Sequence, residues 1–275
     1  MERTRIATEQ EGGYEHILDR VAGLIDELRS RAGHTTHVGI GTPGSISARD
    51  GTLKNSNTLC LNGRPLADDL ARKIGLAVHI ENDANCFALA EARLGAARDH
   101  KLVFGVILGT GVGGGIVVDG HIWAGPQHIA GEWGHHSIDP HGPACYCGRR
   151  GCVEGLLSGP ALERAYREAG GDGITAEEIA GRAASGEGRA GRILDQYLDH
   201  FGAALANLIG ILDPSAVVLG GGLSNLDILY DRGREAVARR IFNDELRTPI
   251  LRNALGDSAG VLGAALLATP EQPQK

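Results

Sequence analysis

Three cysteines crowd one short segment, Cys145, Cys147 and Cys152, in the pattern C-x-C-x4-C, with His135 upstream. Three thiolates and one imidazole complete a closed tetrahedral zinc shell, the kind that holds structure and does no catalysis. The spacing is not the common C-x2-C pair, and His136 and His141 compete with His135 for the fourth position. The chain has five cysteines, an odd and clustered set that favours reduced thiols and a metal over a disulfide framework. Two carboxylates, Glu132 and Glu154, flank this segment. Each alone reads as a surface acid. With Asn57, Asn82 and His135 they supply the paired acceptors and donors that a polyhydroxylated sugar needs. A third carboxylate, Asp83, sits where a short apolar run gives way to an alanine-rich one. Its commonest use there is a helix cap, which the residue types alone favour. Its sharper use is a general base taking a proton from a hydroxyl that attacks a phosphoryl group.

Two glycine clusters complete the chemical inventory. Gly109-Thr-Gly-Val-Gly-Gly-Gly115 is followed by β-branched residues, so it joins two strands and does not open a helix as a dinucleotide loop does. Such a turn either serves as a tight hairpin or wraps phosphate oxygens with backbone N–H groups. Gly220-Gly-Gly222 follows a buried strand and precedes a helix, where it either packs strand on helix or lets a ring or phosphate lie on the backbone. Two such loops in one chain suggest a nucleotide cleft.

The elements that must position these groups are readable from periodicity. Apolar residues from Tyr14 to Leu28 recur at helical spacing. His37 to Gly41 and Ala77 to Ile80 read as short strands, the second running into Asp83 and a helix to about Leu94. Leu102 to Leu108 reads as a buried strand. Ile116 to Val118, Asp119-Gly120 and His121 to Trp123 read as a hairpin. Ile193 to Leu212 is a long helix, and Ala216 to Leu219 a strand. Alternating strands and helices indicate an α/β chain, with a hinge near Ala96 to His100.

Composition narrows the class. The chain has 275 residues, 42% hydrophobic and 22% charged, enough to bury a sizeable core. Its formal net charge is -7 and it has no basic run, which argues against nucleic acid or an anionic membrane as the partner. No apolar stretch reaches bilayer length, and the first residues lack a signal core, so a soluble cytoplasmic protein is expected.

In order along the chain, Gly41-Thr-Pro-Gly-Ser45, Glu81-Asn-Asp-Ala-Asn85, Gly109 to Gly115, Gly131-Glu-Trp-Gly-His135, Cys145-Tyr-Cys-Gly-Arg-Arg-Gly-Cys-Val-Glu154 and Leu219 to Asn225 resemble the ROK family. That family comprises bacterial sugar kinases and sugar-responsive repressors, and the likeness covers essentially the whole chain. It implies a two-domain actin-like ATPase (ribonuclease H-like) fold with a structural zinc loop and the sugar between domains. The implied small domain is 1–97, lacking its first two strands and completed by a C-terminal helix over 259–269; the large domain is 98–258. By the same resemblance Asp83 is the catalytic base and touches the sugar, as do Gly44, Asn57, Asn82, Glu132, His135 and Glu154. Thr110 and Gly111 match a phosphate loop, and Gly221 and Gly222 a nucleotide loop. His135, Cys145, Cys147 and Cys152 match the zinc ligands. ATP, Mg2+ and structural Zn2+ are the implied cofactors, a hexose the substrate, and a homodimer the assembly.

Within the family, Asn55-Ser-Asn57 and Leu61-Asn-Gly63 look most like the fructokinase branch, so phosphorylation of fructose is expected. An N-acetylglucosamine, N-acetylmannosamine or glucose kinase is the alternative, and a non-catalytic sugar binder the rival of another class. A repressor's helix-turn-helix has no room before Tyr14. Family kinases also open on an Asp-x-Gly-Gly-Thr-Lys-type loop between two strands. Nothing here matches it, and Arg3 to Thr8 looks like the strand that follows, so Met1 is expected not to be the functional start.

Overall fold

The computed structural model describes residues 3–32 and 37–268; Met1 and Thr269 lie outside them. The chain opens with α1 (Gly13–Ala32), β1 (His37–Thr42), the short pair β2 (Ser45–Ile46) and β3 (Leu53–Lys54), α2 (Leu66–Ile74) and β4 (Ala77–Asn82). β1 and β4 pair in parallel from His37↔Ala77 to Thr42↔Asn82, while β2 and β3 form a hairpin. Tyr14, Ile17 and Leu18 of α1 close a small core with Leu53, Leu61, Leu66 and Leu70, as helical spacing requires.

Next come α3 (Asp83–Arg93), β5 (Leu102–Leu108), β6 (Val112–Val118) and β7 (His121–Ile122). They are followed by α4 (Val153–Leu157), α5 (Gly159–Glu168), α6 (Ala176–Ala184), α7 (Gly188–Leu212), β8 (Ala216–Gly220), α8 (Arg232–Ala238), β9 (Ile250–Arg252) and α9 (Ala259–Leu267). The strands of this half form one sheet ordered β7-β6-β5-β8-β9. β5 and β6 are antiparallel, and β8 and β9 run parallel to β5. A meander followed by parallel strands is the ribonuclease H-like unit of the actin-like fold. The β6–β7 turn has positive φ at both Asp119 and Gly120, the conformation an Asp-Gly pair favours between twisted strands.

The larger core lies on the face of this sheet covered by α7 and its neighbours, with Tyr166, Phe201 and Leu205 fully buried. The other face receives α3 through Phe87, Ala88 and Ala92. α9 packs on α3 and on β1, so the last described helix meets the first parallel pair. Gly39 and Gly263 permit it: a Cβ on either would stand 1.7 and 1.8 Å from the carbonyl oxygens of Ala264 and Cys86.

Glu91, near the end of α3, has no exposed surface. Its carboxylate accepts from the backbone N–H groups of Ala96 at 2.8 Å, Ala254 at 3.1 Å and Leu255 at 3.0 Å. Glu91→Ala would leave three buried donors unpaired, so unfolding in urea should show a loss on the order of 3 kcal/mol. A loss below about 1 kcal/mol would mean that water takes over those donors.

Four expectations need correction. Arg3 to Thr8 is not a strand: it has no ladder partner among the described residues, and Arg3 bonds to Ser258 and the Asp257 carbonyl. The long helix α7 starts at Gly188, not Ile193, because its first turn is Gly- and Arg-rich and carries little apolar period. Gly113, Gly114 and Gly115 belong to β6 and not to the loop, which is confined to Gly109–Gly111. Finally, β8 passes first into a short 3-10 turn over Gly222–Asn225 and not directly into an α-helix.

Candidate active site

β4 delivers its last residues straight into α3, and the junction is built by side chains. Asn82, not Asp83, is the N-cap: its Oδ1 accepts from Ala84 N at 2.9 Å, and its Nδ2 donates to the Gly44 carbonyl at 2.9 Å. The cap role that residue type favoured for Asp83 is therefore taken by its neighbour. Glu81 Oε1 accepts from Asn82 N at 2.7 Å and from Asn85 Nδ2 at 3.0 Å, fixing the turn from behind. Asp83 is left with one bond, from Ala84 N at 2.8 Å. The residue is exposed, yet desolvation by the surrounding protein raises its carboxyl pKa above the ordinary aspartate range.

The segment Gly131–His135 lies across β6, where the backbone of Gly131 meets that of Gly114. Burial raises the pKa of Glu132, the positive fields of His135 and Lys54 lower it, and Asp83 and Glu154 raise it. Glu154 leads α4, and its Oε2 accepts from Val112 N at 3.0 Å, tying the cysteine segment to the end of the Gly109–Gly111 loop. A Cβ on Gly111 would stand 2.7 Å from the same oxygen. Ala84 meets Gly113, Gly131 meets Gly114, and Glu154 meets Gly111 and Val112, so the segments that carry Asp83, Glu132 and Glu154 converge on the start of β6, and carboxylates there can accept hydrogen bonds from several hydroxyls.

Two glycine loops meet beside it. β5 and β8 are parallel, and both end at the same edge of the sheet, the place where ligands enter open α/β sheets. Gly221 has φ +80, and a Cβ there would lie 2.3 Å from the Leu108 carbonyl, so only glycine fits against the end of β5. Thr110 is exposed at the tip of the other loop, while Gly222 has open space on its Cβ side.

The ligand atoms of His135, Cys145, Cys147 and Cys152 lie within 4.8 Å of one another, which selects His135 over His136 and His141. Cys147 and Cys152 sulfurs are 3.6 Å apart, and Cys145 Sγ is 3.6 Å from His135 Nδ1. A tetrahedral zinc ion with ordinary bond lengths asks for edges of about 3.8 and 3.5 Å, so the donor set fits. The loop is wound tightly: Cys145 N donates to the Arg149 carbonyl, Gly151 N donates to the Pro143 carbonyl, and Arg149 donates to the His135 carbonyl.

The expected residues thus gather, except that Asn57 sits exposed on the loop after β3. Gly44 reaches that loop, since a Cβ on it would stand 2.7 Å from Ser56 N. Two residues were not anticipated. Lys54 donates to the Gln127 carbonyl at 2.8 Å, bridging β3 to the segment before Glu132. Tyr146 brings its Oη to 3.0 Å from His135 Nε2. Lys54 gave no signal because a two-residue strand has no readable register; Tyr146 did, as the residue between two metal ligands.

Among the described residues no helix is long and apolar enough to cross a membrane. Comparison with known proteins agrees with the architecture. N-acetyl-D-glucosamine kinase of Photobacterium profundum is 40% identical over 96% of this chain and 90% of its own length. The same-named protein of Yersinia pseudotuberculosis serotype O:1b is 38% identical over 98% and 91%. The crystal structure of ROK hexokinase from Thermus thermophilus superposes with a TM-score of 0.86 at 35% identity, over 96% of this chain and 88% of that one. A ROK family glucokinase from Streptomyces griseus, in complex with glucose and AMPPNP, gives 0.81 at 31%, over 96% and 90%. The ROK family model matches residues 1–271, and with the glycine loops, the three carboxylates and the His/Cys cluster in these positions, the chain belongs to the ROK family of sugar kinases.

Proposed function

We propose that this chain is an ATP-dependent N-acetyl-D-glucosamine kinase. The observation that carries the reading is the set of relatives of that name, 36–40% identical over nearly the whole chain. The same relatives overturn the expectation of fructose, which rested on Asn55 to Gly63. That exposed loop reports only one wall of the site.

In this reading Asp83 accepts the proton of the attacking sugar hydroxyl as its oxygen bonds to the γ-phosphorus. The bond from that phosphorus to the bridging oxygen breaks, and ADP leaves. A carboxylate whose pKa is raised by desolvation is a better base than a freely hydrated aspartate, and the solvent that reaches Asp83 lets the proton leave afterwards. Glu132, Glu154 and the Asn82–Gly44 pair orient the sugar, with Asn57 at the rim. The loops at Thr110–Gly111 and Gly221–Gly222 face the nucleotide, whose Mg2+ arrives as the phosphate complex. Zinc on His135, Cys145, Cys147 and Cys152 fixes the segments that carry Glu132 and Glu154, a role in positioning and not in Lewis-acid chemistry. The sugar lies between a domain of residues 1–97, joined by α9, and one of residues 98–258.

A kcat/KM comparison across N-acetylglucosamine, N-acetylmannosamine, glucose, mannose and fructose tests the substrate. N-acetylglucosamine should lead by at least tenfold, the scale that one buried contact supplies. A lead for a sugar without an acetamido group would refute the substrate and keep the kinase. For the nucleotide loop, Gly221→Ala should raise the KM for ATP about tenfold through a strained φ and the contact with Leu108. Calorimetric affinity for the sugar should hold, and an equal loss of both would assign Gly221 to general folding.

A further inference from the structure

A cavity of about 400 Å³ opens between the cysteine loop, α5 and α7. That is room for a small organic molecule. None of the residues assigned above to sugar, nucleotide or metal lines it. Helical period builds two of its walls: Ile193, Gln196, Tyr197 and His200 share one face of α7, and Ala161, Arg164, Ala165 and Glu168 one face of α5. Leu162, Ile193 and Tyr197 are buried and make an apolar floor. The Tyr197 hydroxyl is already spent on the Leu157 carbonyl at 3.0 Å.

The polar part of the lining is rich in donors. Arg164 gives one hydrogen bond, to the Gly155 carbonyl at 2.6 Å, and lies 3.9 Å from Glu168, which leaves further N–H groups free. The guanidinium of Arg150 and the side chains of Gln196, His200 and His141, the last left out of the metal cluster, have no hydrogen-bond or ion-pair partner among the described residues. Glu168 is the single carboxylate on the lining. Two more acids act on His200 from outside the cavity, and both are engaged: Asp139 accepts from His141 N at 2.9 Å, and Asp199 pairs with Arg240. Two guanidinium groups, two imidazoles and an amide therefore share the space with one weakly held acceptor. A carboxylate ligand would answer them with two oxygens. A phosphate monoester brings three terminal oxygens and nearly two charges, and it takes charge-assisted bonds from both arginines at once. The apolar floor suits the organic half of such an ester.

We propose that this cavity is a second ligand site, for a small organic phosphate monoester, with Arg150 and Arg164 on the phosphate and the Leu162, Ile193 and Tyr197 floor under the organic group. The site is independent of the identity of the sugar substrate.

The full chain is first saturated with the sugar that the kcat/KM comparison selects and with a non-hydrolysable ATP analogue, so that the catalytic cleft is filled. It is then titrated calorimetrically with glucose 6-phosphate, N-acetylglucosamine 6-phosphate and inorganic phosphate. At least one ester should bind at one per chain, and inorganic phosphate at least tenfold more weakly, because it leaves the floor uncovered. Arg150→Ala removes a side chain that holds nothing else in place; it should weaken the ester at least tenfold, with kcat within twofold. Ala165→Phe fills the cavity without touching a charge and should abolish ester binding while zinc stays at one per chain. Should that variant misfold, the Arg150 variant decides alone. Failure of both esters to bind the loaded wild type would overturn the proposal. So would ester binding that survives Arg150→Ala, and so would inorganic phosphate binding as tightly as the esters, the mark of a basic surface and not of a built site.

Discussion

Asp83→Asn should lower kcat by roughly 10²–10⁴, the range that a positioned general base supplies. The sugar Kd should move far less, because the amide still offers hydrogen bonds. The same substitution should also raise thermal stability. Asp83 has a pKa above its unfolded value, with burial as the main cause. A carboxyl shifted upward binds its proton more tightly in the native state, so ionising it costs native stability once the pH passes the unfolded value. That cost is complete above the folded pKa and vanishes as the pH falls below the unfolded one. Asparagine removes that cost at neutral pH, so Tm should rise, by an amount kept small because solvent reaches the exposed side chain. In the wild type, the acidic limb of kcat/KM should lie above the ordinary aspartate value, and it should be read on the free enzyme. A variant that turns over at near-normal rate, or melts lower than the wild type, would remove Asp83 from the role of base.

Loss of the metal should have the second large effect. Cys152 is fully buried, and its sulfur reaches both Cys147 Sγ and the His135 carbonyl, each at 3.6 Å. Cys152→Ala leaves three ligands and a tightly wound loop with few apolar contacts to hold it. Zinc should fall from one per chain to near zero. Sugar affinity should drop at least 10²-fold, because Glu132 and Glu154 are both carried by the released segment, and misplacement by about 1 Å alone costs on that order. Protease cleavage between Gly131 and Glu154 should appear while the α7 core stays protected. A variant that binds sugar normally with no zinc would show that the hydrogen bonds of the loop are sufficient.

How much of this could be read beforehand depends on how local each cause is. The buried run of β5, the Asp-Gly turn at 119–120 and the helix after Asp83 follow from residue type and period, and they stand within a residue or two of expectation. The strand supposed at Arg3 to Thr8 failed because a strand is defined by a partner, which spacing does not supply. The run from Gly109 to Gly115 left a hairpin and a phosphate loop both open, and within it Gly113 and Gly115 face α3, where a Cβ would meet Ala84. A glycine looks the same in sequence whether a ligand or a helix approaches it. The choice of Asn82 as cap, and of His135 among three histidines, turned on which side chain points where. The sugar was the least local property, since the proposed site draws on β3, β4, the Gly131 segment and the cysteine loop together.

The glycines that line α3 carry one more consequence. Gly105 and Gly115 leave no room for a methyl group and Gly113 leaves little, and Gly263 leaves none on the opposite side. The helix is thus seated against β5, β6 and α9 as a bolt in a machined slot, clamped at its far end by Glu91. Its leading tip is Asp83. With Asp83 as the proposed base, the accuracy with which it would meet the reacting oxygen is set by tolerances at positions that touch neither substrate. A single added methyl in that slot would displace the tip by a fraction of a bond length or more, and a screen for activity would find it long before a screen for folding did.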